Sequence, residues 1–192
     1  MKRPVSVVAL AVAGLLVSGC TLVPTARTPA VIGPHAVPFG LLGKTIPGTN
    51  NGRVRFITQP VYIVDATGHL TPSSRVVPAP PSLDSVLREL VIGPTGIESF
   101  AGFTSALPKK LVILQAVVRN KVGFVSLTSS LDSLPLSQQI LAIGQLVYTA
   151  YDVGATNGFE ILVAGVAQRL PLPNDTKARR VTTSDYQRLL NT

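Results

Sequence analysis

Residues 136–151 read LSQQILAIGQLVYTAY, the longest helical pattern in the chain. Apolar side chains recur every three or four positions, which is the period of an α-helix with one apolar face. That face carries Leu136, Ile140, Ile143, Val147 and Tyr151. The opposite face carries Gln138, Gln145, Thr149 and Asp152. We therefore expect a helix that packs on a sheet through its apolar face, Tyr151 included, and turns its polar face to solvent.

Strand-like segments flank this helix on both sides. Upstream, Leu111–Val118 is apolar at nearly every position, which predicts a strand buried on both faces. The polar turn at 119–121 leads into Val122–Thr128, so these two strands form a hairpin. Downstream, turn residues bound two further strands, Phe159–Ala164 and Val166–Leu170.

The segments nearer the N-terminus begin with strands. Arg53–Thr58 alternates weakly and predicts an edge strand, which Pro60 interrupts. After this weak edge segment, the two main strands of the region are Val61–Val64 and Leu70–Val77, separated by a turn of Asp, Ala, Thr and Gly.

Helix signals complete the order of elements. Ser82 reads as the N-cap of a helix that Gly93 ends, and Thr95 caps a short helix over Gly96–Ala101. Ser184 caps a final helix over 185–190. The order β-β-α-α-β-β-α-β-β-α predicts an α/β fold. We expect a two-layer sandwich in which helices pack on a mostly antiparallel sheet, as a single domain over residues 53–192.

The first 19 residues read as an export signal. Two cations follow Met1, and Val5–Val17 is an apolar run without charge. Val17-Ser18-Gly19-Cys20 resembles a lipobox. The resemblance implies a signal peptide over residues 1–19 and a diacylglyceryl group on Cys20. Two acyl chains on one residue hold a protein stably on a bilayer. We therefore expect the mature protein on the outer face of the bacterial cytoplasmic membrane.

Residues 20–52 contain the lipidated cysteine and a segment rich in proline and glycine without helical or strand periodicity. We interpret it as a tether. About 30 such residues reach roughly 30 Å, which lets the domain stand off the membrane. No later stretch has the roughly 20 apolar residues of a spanning helix.

The net charge is +8, and loss of the two leader cations leaves about +6. The cations are scattered and aromatic residues make up only 5% of the chain, which argues against nucleic-acid binding. One cysteine excludes a disulfide framework and a thiolate metal cluster. The common catalytic and phosphate-binding motifs are absent from the sequence, so we expect no enzyme, no metal and no cofactor.

Short motifs recur in a fixed order through the folded region. The first half carries Arg75-Val76-Val77-Pro78, Leu87-Arg88-Glu89-Leu90, Gly93-Pro94-Thr95, Glu98, Gly102 and Thr104-Ser105-Ala106-Leu107-Pro108. The second half carries Val125-Ser126-Leu127-Thr128, Gln138, Leu141-Ala142, Gln145-Leu146-Val147-Tyr148-Thr149 and Asp185-Tyr186. Together, over roughly residues 60–190, they resemble a GerMN domain.

The resemblance implies a non-catalytic, envelope-facing domain of the kind found in spore-germination lipoproteins. The chain departs from the family pattern at two places. Ser126 stands where the family often has Asp, and Ala164-Gly165 stands where it often has Asp-Gly. A function that depends on those two carboxylates is therefore in doubt for this chain.

Two functions remain open beside a hydrolase, which would need two converging titratable groups in a cleft. The first is an interaction domain that binds an envelope protein or further copies of itself. Arg119 and Lys121 flank the hairpin tip, which fits either a solvated turn or a basic contact surface for an acidic partner. The alternative is a lipoprotein that holds a lipid or a cell-wall fragment. It predicts a sizeable apolar cavity between Leu111–Val118 and the long helix.

Overall fold

The computed structural model describes residues 54–190, which belong to one compact unit over Asn51–Thr192. The predicted signal peptide over 1–19, the lipobox Val17-Ser18-Gly19-Cys20 and the tether over 20–52 lie outside the described residues, so they stay predictions. Within the described part, every helix falls short of the length and apolarity that crossing a bilayer requires.

The elements follow the predicted order, with one addition near the C-terminus. They are β1 (Phe56–Val64), β2 (Leu70–Pro78), α1 (Leu83–Ile92), α2 (Gly96–Phe100), β3 (Ile113–Arg119), β4 (Val122–Leu127), α3 (Leu136–Asp152), β5 (Phe159–Val163), β6 (Val166–Ala167), β7 (Leu170–Pro171), β8 (Lys177–Ala178) and a C-terminal 3₁₀ helix (Thr183–Leu189). The predicted class, α/β with mostly antiparallel strands and packed helices, is confirmed. The short β7–β8 pair is the addition.

β1 and β2 form an antiparallel hairpin, with Val64 opposite Leu70 at the turn. The expected interruption at Pro60 is wrong, because β1 continues through it. Successive N–H groups of a strand alternate between its two edges. The N–H of Tyr62, two residues on, points away from β2 toward α3. The nitrogen of Pro60 faces that same outer edge, so its missing N–H removes no hydrogen bond of the ladder.

The helix caps predicted at Ser82 and Thr95 are confirmed. The hydroxyl of Ser82 accepts a hydrogen bond from the N–H of Ser85 at 3.1 Å, and that of Thr95 accepts one from the N–H of Glu98 at 3.3 Å. In each case the third helical side chain bonds back to the cap backbone, which completes a capping box. Gly93 ends α1 at a φ of 86°, a conformation that favours glycine.

The largest sheet has the strand order β3-β4-β5-β6. β3 and β4 are antiparallel and meet at Asn120-Lys121, whose φ values of 51° and 62° are those of a two-residue hairpin turn. β4 and β5 are parallel, and α3 is the crossover between them. The sequence predicts hairpins in this region but not this parallel pair.

β3 lies at the edge of the sheet and is covered on one face. Ile113 and Ala116 are buried, whereas Val112 and Leu114 are 49% and 58% exposed. The prediction of a strand buried on both faces is therefore wrong. A continuous apolar run does not distinguish an edge strand from a central one, because its periodicity is the same in both.

α3 is buried over residues 142–150 and forms the centre of the core. Gln145 and Thr149 are fully buried, because β1 packs against the polar side of the helix. Leu136 and Tyr151, at the two ends, are about half exposed. The expected outward position is therefore wrong for Gln145 and Thr149, although Asp152 is exposed as predicted, and the core position of Tyr151 is wrong as well.

The C-terminal residues close the core on a third side. Tyr186 is fully buried beside α3, and burial raises the pKa of its phenol well above the usual range. The predicted α-helix over 185–190 is a 3₁₀ helix that starts two residues earlier. Its cap is Thr182 rather than Ser184, since the N–H of Thr182 donates to the carboxylate of Asp185 at 2.7 Å.

Candidate functional site

The four-stranded sheet has one covered face and one open face. Ala116, Val125 and Ile161 lie side by side on three adjacent strands and are buried in the core. Because side chains alternate along a strand, the residues next to them point to the other face. Phe124 and Ser126 lie on that face and are partly exposed. The open face is the surface on which this fold can present a binding site.

A groove of about 320 Å³ crosses this open face. A volume of roughly 300–1,000 Å³ is usual for a ligand site. The groove is lined by Gln115, Val117, Arg119, Phe124, Ser126 and Leu162, with Gly165 at one end. It combines an apolar floor with an amide, a hydroxyl and a guanidinium. Such a lining fits a partner that presents both an apolar group and a hydrogen-bond acceptor.

The charge of the groove is positive. Within residues 54–190, the side chain of Arg119 has no ion-pair partner. Glu160 lies opposite Phe124 on the same face, but its carboxylate pairs with Arg180 at 2.8 Å. The acid of this face is therefore already neutralised. An anionic group entering the groove meets a guanidinium, which is suited to binding a carboxylate in two-point fashion.

The structure places the two predicted contact residues differently. Arg119 lines the groove, whereas Lys121 is exposed at the hairpin tip beyond it. Sequence reasoning missed the remaining lining residues. The alternation of Val122–Leu127 predicts that Phe124 and Ser126 share one face of the strand. It does not predict that β3 and β5 extend this face on both sides. The role of Arg119 and Lys121 as contact residues stays a prediction.

Both departures from the family pattern lie at this groove. Ser126 lines its floor, and Ala164-Gly165 forms the turn at its end, with φ values of 50° and 77°. The resemblance expects a carboxylate at each of these places. This chain has neither, so the groove keeps the uncompensated charge of Arg119.

A buried ion pair holds the segment between α1 and β3 against β2. Arg75 is 8% exposed and donates to both carboxylate oxygens of Glu98, at 3.0 and 2.8 Å. The same guanidinium donates to the carbonyl of Gly93 at 3.1 Å, and the hydroxyl of Ser73 donates to Glu98. The Arg75 guanidinium lowers the pKa of Glu98 to about 2. Arg75, Gly93 and Glu98, which belong to the motifs quoted above, therefore stabilise the fold.

The polar side of α3 forms a second such network. The amide of Gln145 donates to the carbonyl of Tyr62 at 2.8 Å and accepts from the N–H of Ala106 at 2.8 Å. One turn later, Thr149 accepts from the N–H of Tyr62 at 3.0 Å. Gln138 donates to the carbonyl of Ala106 at 3.2 Å. The spacing of these motif residues thus matches the backbone groups of β1, and of the loop between α2 and β3, that need hydrogen-bond partners.

The alternative of a lipid or cell-wall fragment held between Leu111–Val118 and the long helix stays a prediction, because the small cavity beside α3 is lined by none of residues 111–118. The cavity lined there by Ile143, Ile161 and Leu170 holds about 10 Å³. That volume is roughly one water molecule. Within residues 54–190, this place does not accommodate an acyl chain or a sugar ring.

Several titratable side chains away from the groove have structural partners. The carboxylate of Asp65 accepts hydrogen bonds from its own turn, including the hydroxyl of Thr67 at 2.7 Å, which holds its pKa well below the usual range. Partial burial raises the pKa of both Tyr62 and Asp152, which face each other across β1 and α3. In residues 54–190, no group of three or more His, Cys, Asp or Glu side chains is placed to hold a metal ion.

Comparison with known proteins agrees with this architecture. A family model described as Germane, sporulation and spore germination, matches residues 60–169, which is more than half of the chain. The matched span runs from β1 to the end of β6 and contains both motif networks and the groove. No curated protein sequence matches the chain significantly.

Two solved structures resemble the fold. The first GerMN domain of the sporulation protein GerM from Bacillus subtilis superposes with a TM-score of 0.52 at 10% identity, covering 67% of this chain and 98% of that domain. The tandem GerMN domains of the same protein superpose with a TM-score of 0.53 at 11% identity, covering 68% of this chain and 48% of that one. At sequence identities this low, the two matches show a shared fold and carry no information about function.

Proposed function

The chain belongs to the Germane family of sporulation and spore germination, and on that basis we propose that it is a lipid-anchored envelope protein whose domain binds an acidic partner. The binding surface is the groove on the open face of the four-stranded sheet. The partner is a protein of the cell envelope, and a further copy of this chain is the competing occupant. The domain itself performs no catalysis.

The single observation that carries this proposal is the charge of the groove. Arg119 faces it without an ion-pair partner among residues 54–190, while the neighbouring acid is neutralised by Arg180. The net charge of about +6 that remains after loss of the two leader cations adds a long-range attraction for acidic surfaces. A carboxylate of the partner can pair with Arg119, and an apolar side chain can lie against Phe124.

The chemistry of the groove also supports a binding function over a hydrolytic one. A serine nucleophile requires a neighbouring base that removes its proton. The groove residues around Ser126 supply an amide and a guanidinium but no histidine or carboxylate. They can hold a partner through hydrogen bonds without activating a nucleophile.

The membrane location rests on the lipobox Val17-Ser18-Gly19-Cys20. Cleavage before Cys20 and diacylglyceryl transfer to its sulfur anchor the domain on the outer face of the cytoplasmic membrane. The segment over 20–52 then gives the domain reach toward partners in the envelope. Radiolabelled palmitate incorporated into the wild-type chain but not into a Cys20→Ser variant tests this part separately.

The partner is tested by cross-linking intact cells that carry the tagged lipoprotein, with and without Arg119→Glu. We expect an acidic envelope protein to co-purify with the wild type and to be lost from Arg119→Glu. Arg179→Glu is the matched control, because it makes the same charge change at an exposed position outside the groove.

Unchanged recovery of every partner from Arg119→Glu contradicts the proposal. Recovery of this chain alone, again lost with Arg119→Glu, identifies self-association through the same groove. Equal loss of the partner from Arg119→Glu and Arg179→Glu would show that net charge causes the attraction and that the groove is not the binding surface.

A further inference from the structure

Three large apolar side chains project into solvent from the end of α1 and from α2, which follows it after three residues. Ile92 closes α1 and is 75% exposed, while Ile97 and Phe100 on α2 are 85% and 96% exposed. Residues three apart on a helix lie on the same side, so the two α2 residues share a face. We call these three residues the apolar tip. Contiguous exposed apolar groups of this kind mark contact surfaces for proteins or membranes.

The helix that carries two residues of the apolar tip is closed by hydrogen bonds at both ends. α2 has only five residues, yet its capping box is complete and its C-terminal turn is closed by hydrogen bonds, including one from the N–H of Phe103 to the carbonyl of Glu98. Glu98 is the sole charged residue of α2 and is drawn into the ion pair with Arg75. The helix thus directs its charge inward and its apolar side chains outward, the reverse of a surface helix that serves only the core.

We propose that the apolar tip inserts into the interface between lipid headgroups and acyl chains of the membrane that carries the Cys20 anchor. This inference rests on the proposed lipid anchor. The tip consists of only three side chains, whereas a stable protein interface involves roughly 20–30 residues on each side. It is also built from side chains that project outward, and such groups suit a fluid interface that closes around them.

The length of chain before the domain supports this occupant. About 30 residues separate Cys20 from Val54, and a tether of the kind predicted from their sequence reaches roughly 30 Å. A domain of this size has a radius of gyration of roughly 14 Å, so any of its faces can reach the bilayer. Tethering raises the effective concentration of the tip at the membrane. An apolar contact too weak to recruit a free protein is then strong enough to orient an anchored one.

The test uses the chain's cysteine content. Cys20 is the only cysteine, and in the anchored protein its sulfur is acylated. Phe100→Cys therefore creates the single free thiol, which takes an environment-sensitive fluorophore. The labelled, full-length lipoprotein is reconstituted into phosphatidylcholine vesicles that contain lipids spin-labelled near the headgroup. Neutral lipid removes the contribution of the net positive charge.

We expect a blue shift of the emission and strong quenching by the spin-labelled lipid. The matched control is Val166→Cys, an equally labelled and 64% exposed position on β6, which is expected to give neither. Adding Ile97→Asp to the Phe100→Cys protein is expected to remove most of the quenching, since a charge in the interface opposes insertion.

Quenching at position 100 no greater than at position 166 overturns the proposal and leaves the tip as a contact for a protein. A wild-type chain that takes the label has a free Cys20 thiol. That result overturns the proposed anchor, and this inference with it, and is distinct from a failure of the tip to insert. A urea midpoint within error of the wild type confirms that Ile97→Asp leaves the domain folded.

Discussion

The hydroxyl of Thr149 accepts a hydrogen bond from the backbone N–H of Tyr62 at 3.0 Å, and Gln145 donates to the carbonyl of the same residue at 2.8 Å. Two side chains one helical turn apart thus satisfy both backbone groups of one strand residue. An unpaired strand edge otherwise recruits other chains. In this domain, the polar side of the central helix covers that edge.

Replacing these side chains is expected to destabilise the domain through the backbone groups that they leave unpaired. Gln145→Ala removes the partners of the Tyr62 carbonyl and the Ala106 N–H, at a cost of about 2–4 kcal/mol in the free energy of unfolding. Thr149→Val keeps the shape of the side chain and loses one acceptor, at about 1–2 kcal/mol. Urea denaturation followed by circular dichroism measures both.

Thr156→Val is the control for Thr149→Val, because Thr156 is exposed and the same change there is expected to cost little. Equal urea midpoints for the two valine variants would show that the Tyr62 N–H finds another partner. The role of the helix in covering the strand edge would then be lost.

The ion pair of Arg75 and Glu98 predicts a pH dependence of stability. The folded domain holds the pKa of Glu98 at about 2, below its ordinary value of about 4.3. A lowered carboxyl pKa stabilises the fold above the ordinary value, and that stabilisation is lost as the pH falls from about 4.5 toward 2. We expect the loss to be about 2–3 kcal/mol, measured by urea unfolding across that range.

Glu98→Gln is expected to remove most of this dependence, because glutamine does not titrate. Some acid sensitivity remains, since Asp65 also has a pKa below its usual range in the folded state. A Glu98→Gln protein whose stability falls with acid as steeply as the wild type would exclude the ion pair as the cause.

Gly123 lies where β4 passes under the ring of Phe159. A Cβ at this position would come within 2.8 Å of the ring carbon Cδ2 and 3.0 Å of the Ala155 methyl. Gly123→Ala is therefore expected to cost about 1–3 kcal/mol through overpacking. Gly96→Ala, where a Cβ meets no atom within 4 Å, is the control and is expected to be neutral or stabilising. Thermal unfolding of both variants decides the point.

The hairpin tip predicts a stabilising change. Lys121 has a φ of 62°, a left-handed conformation that costs a residue with a Cβ about 1 kcal/mol. Lys121→Gly relieves this cost and is expected to raise the free energy of unfolding by about 0.5–1 kcal/mol. Lys110→Gly removes the same charge from a loop without positive φ and is not expected to stabilise. A lower melting temperature for Lys121→Gly would contradict the turn geometry.

Local signals in the sequence predicted the local structure well. The caps at Ser82 and Thr95 and the hairpin at 119–121 depend on neighbouring residues, so sequence spacing is enough to find them. The orientation of α3 was wrong because a buried polar residue and an exposed one have the same helical period. Gln145 and Thr149 are buried since a strand far away in sequence offers them backbone partners.

The candidate site was predicted in part for a related reason. Arg119 was singled out as a basic residue at a hairpin tip, and the structure places it in the groove. The contributions of Gln115 and Leu162 depend on the register of three strands, one of them parallel. That register follows from the crossover through α3, which a reading of single segments does not supply.

The contact between β1 and α3 also bears on how quickly the domain folds. Tyr62 meets its two partners across 83 and 87 positions of the chain. Closing loops of that length costs chain entropy before the contacts that offset it have formed. We therefore expect these bonds to form late in folding. Until they form, the outer edge of β1 is bare, and a bare strand edge invites pairing with other chains and aggregation.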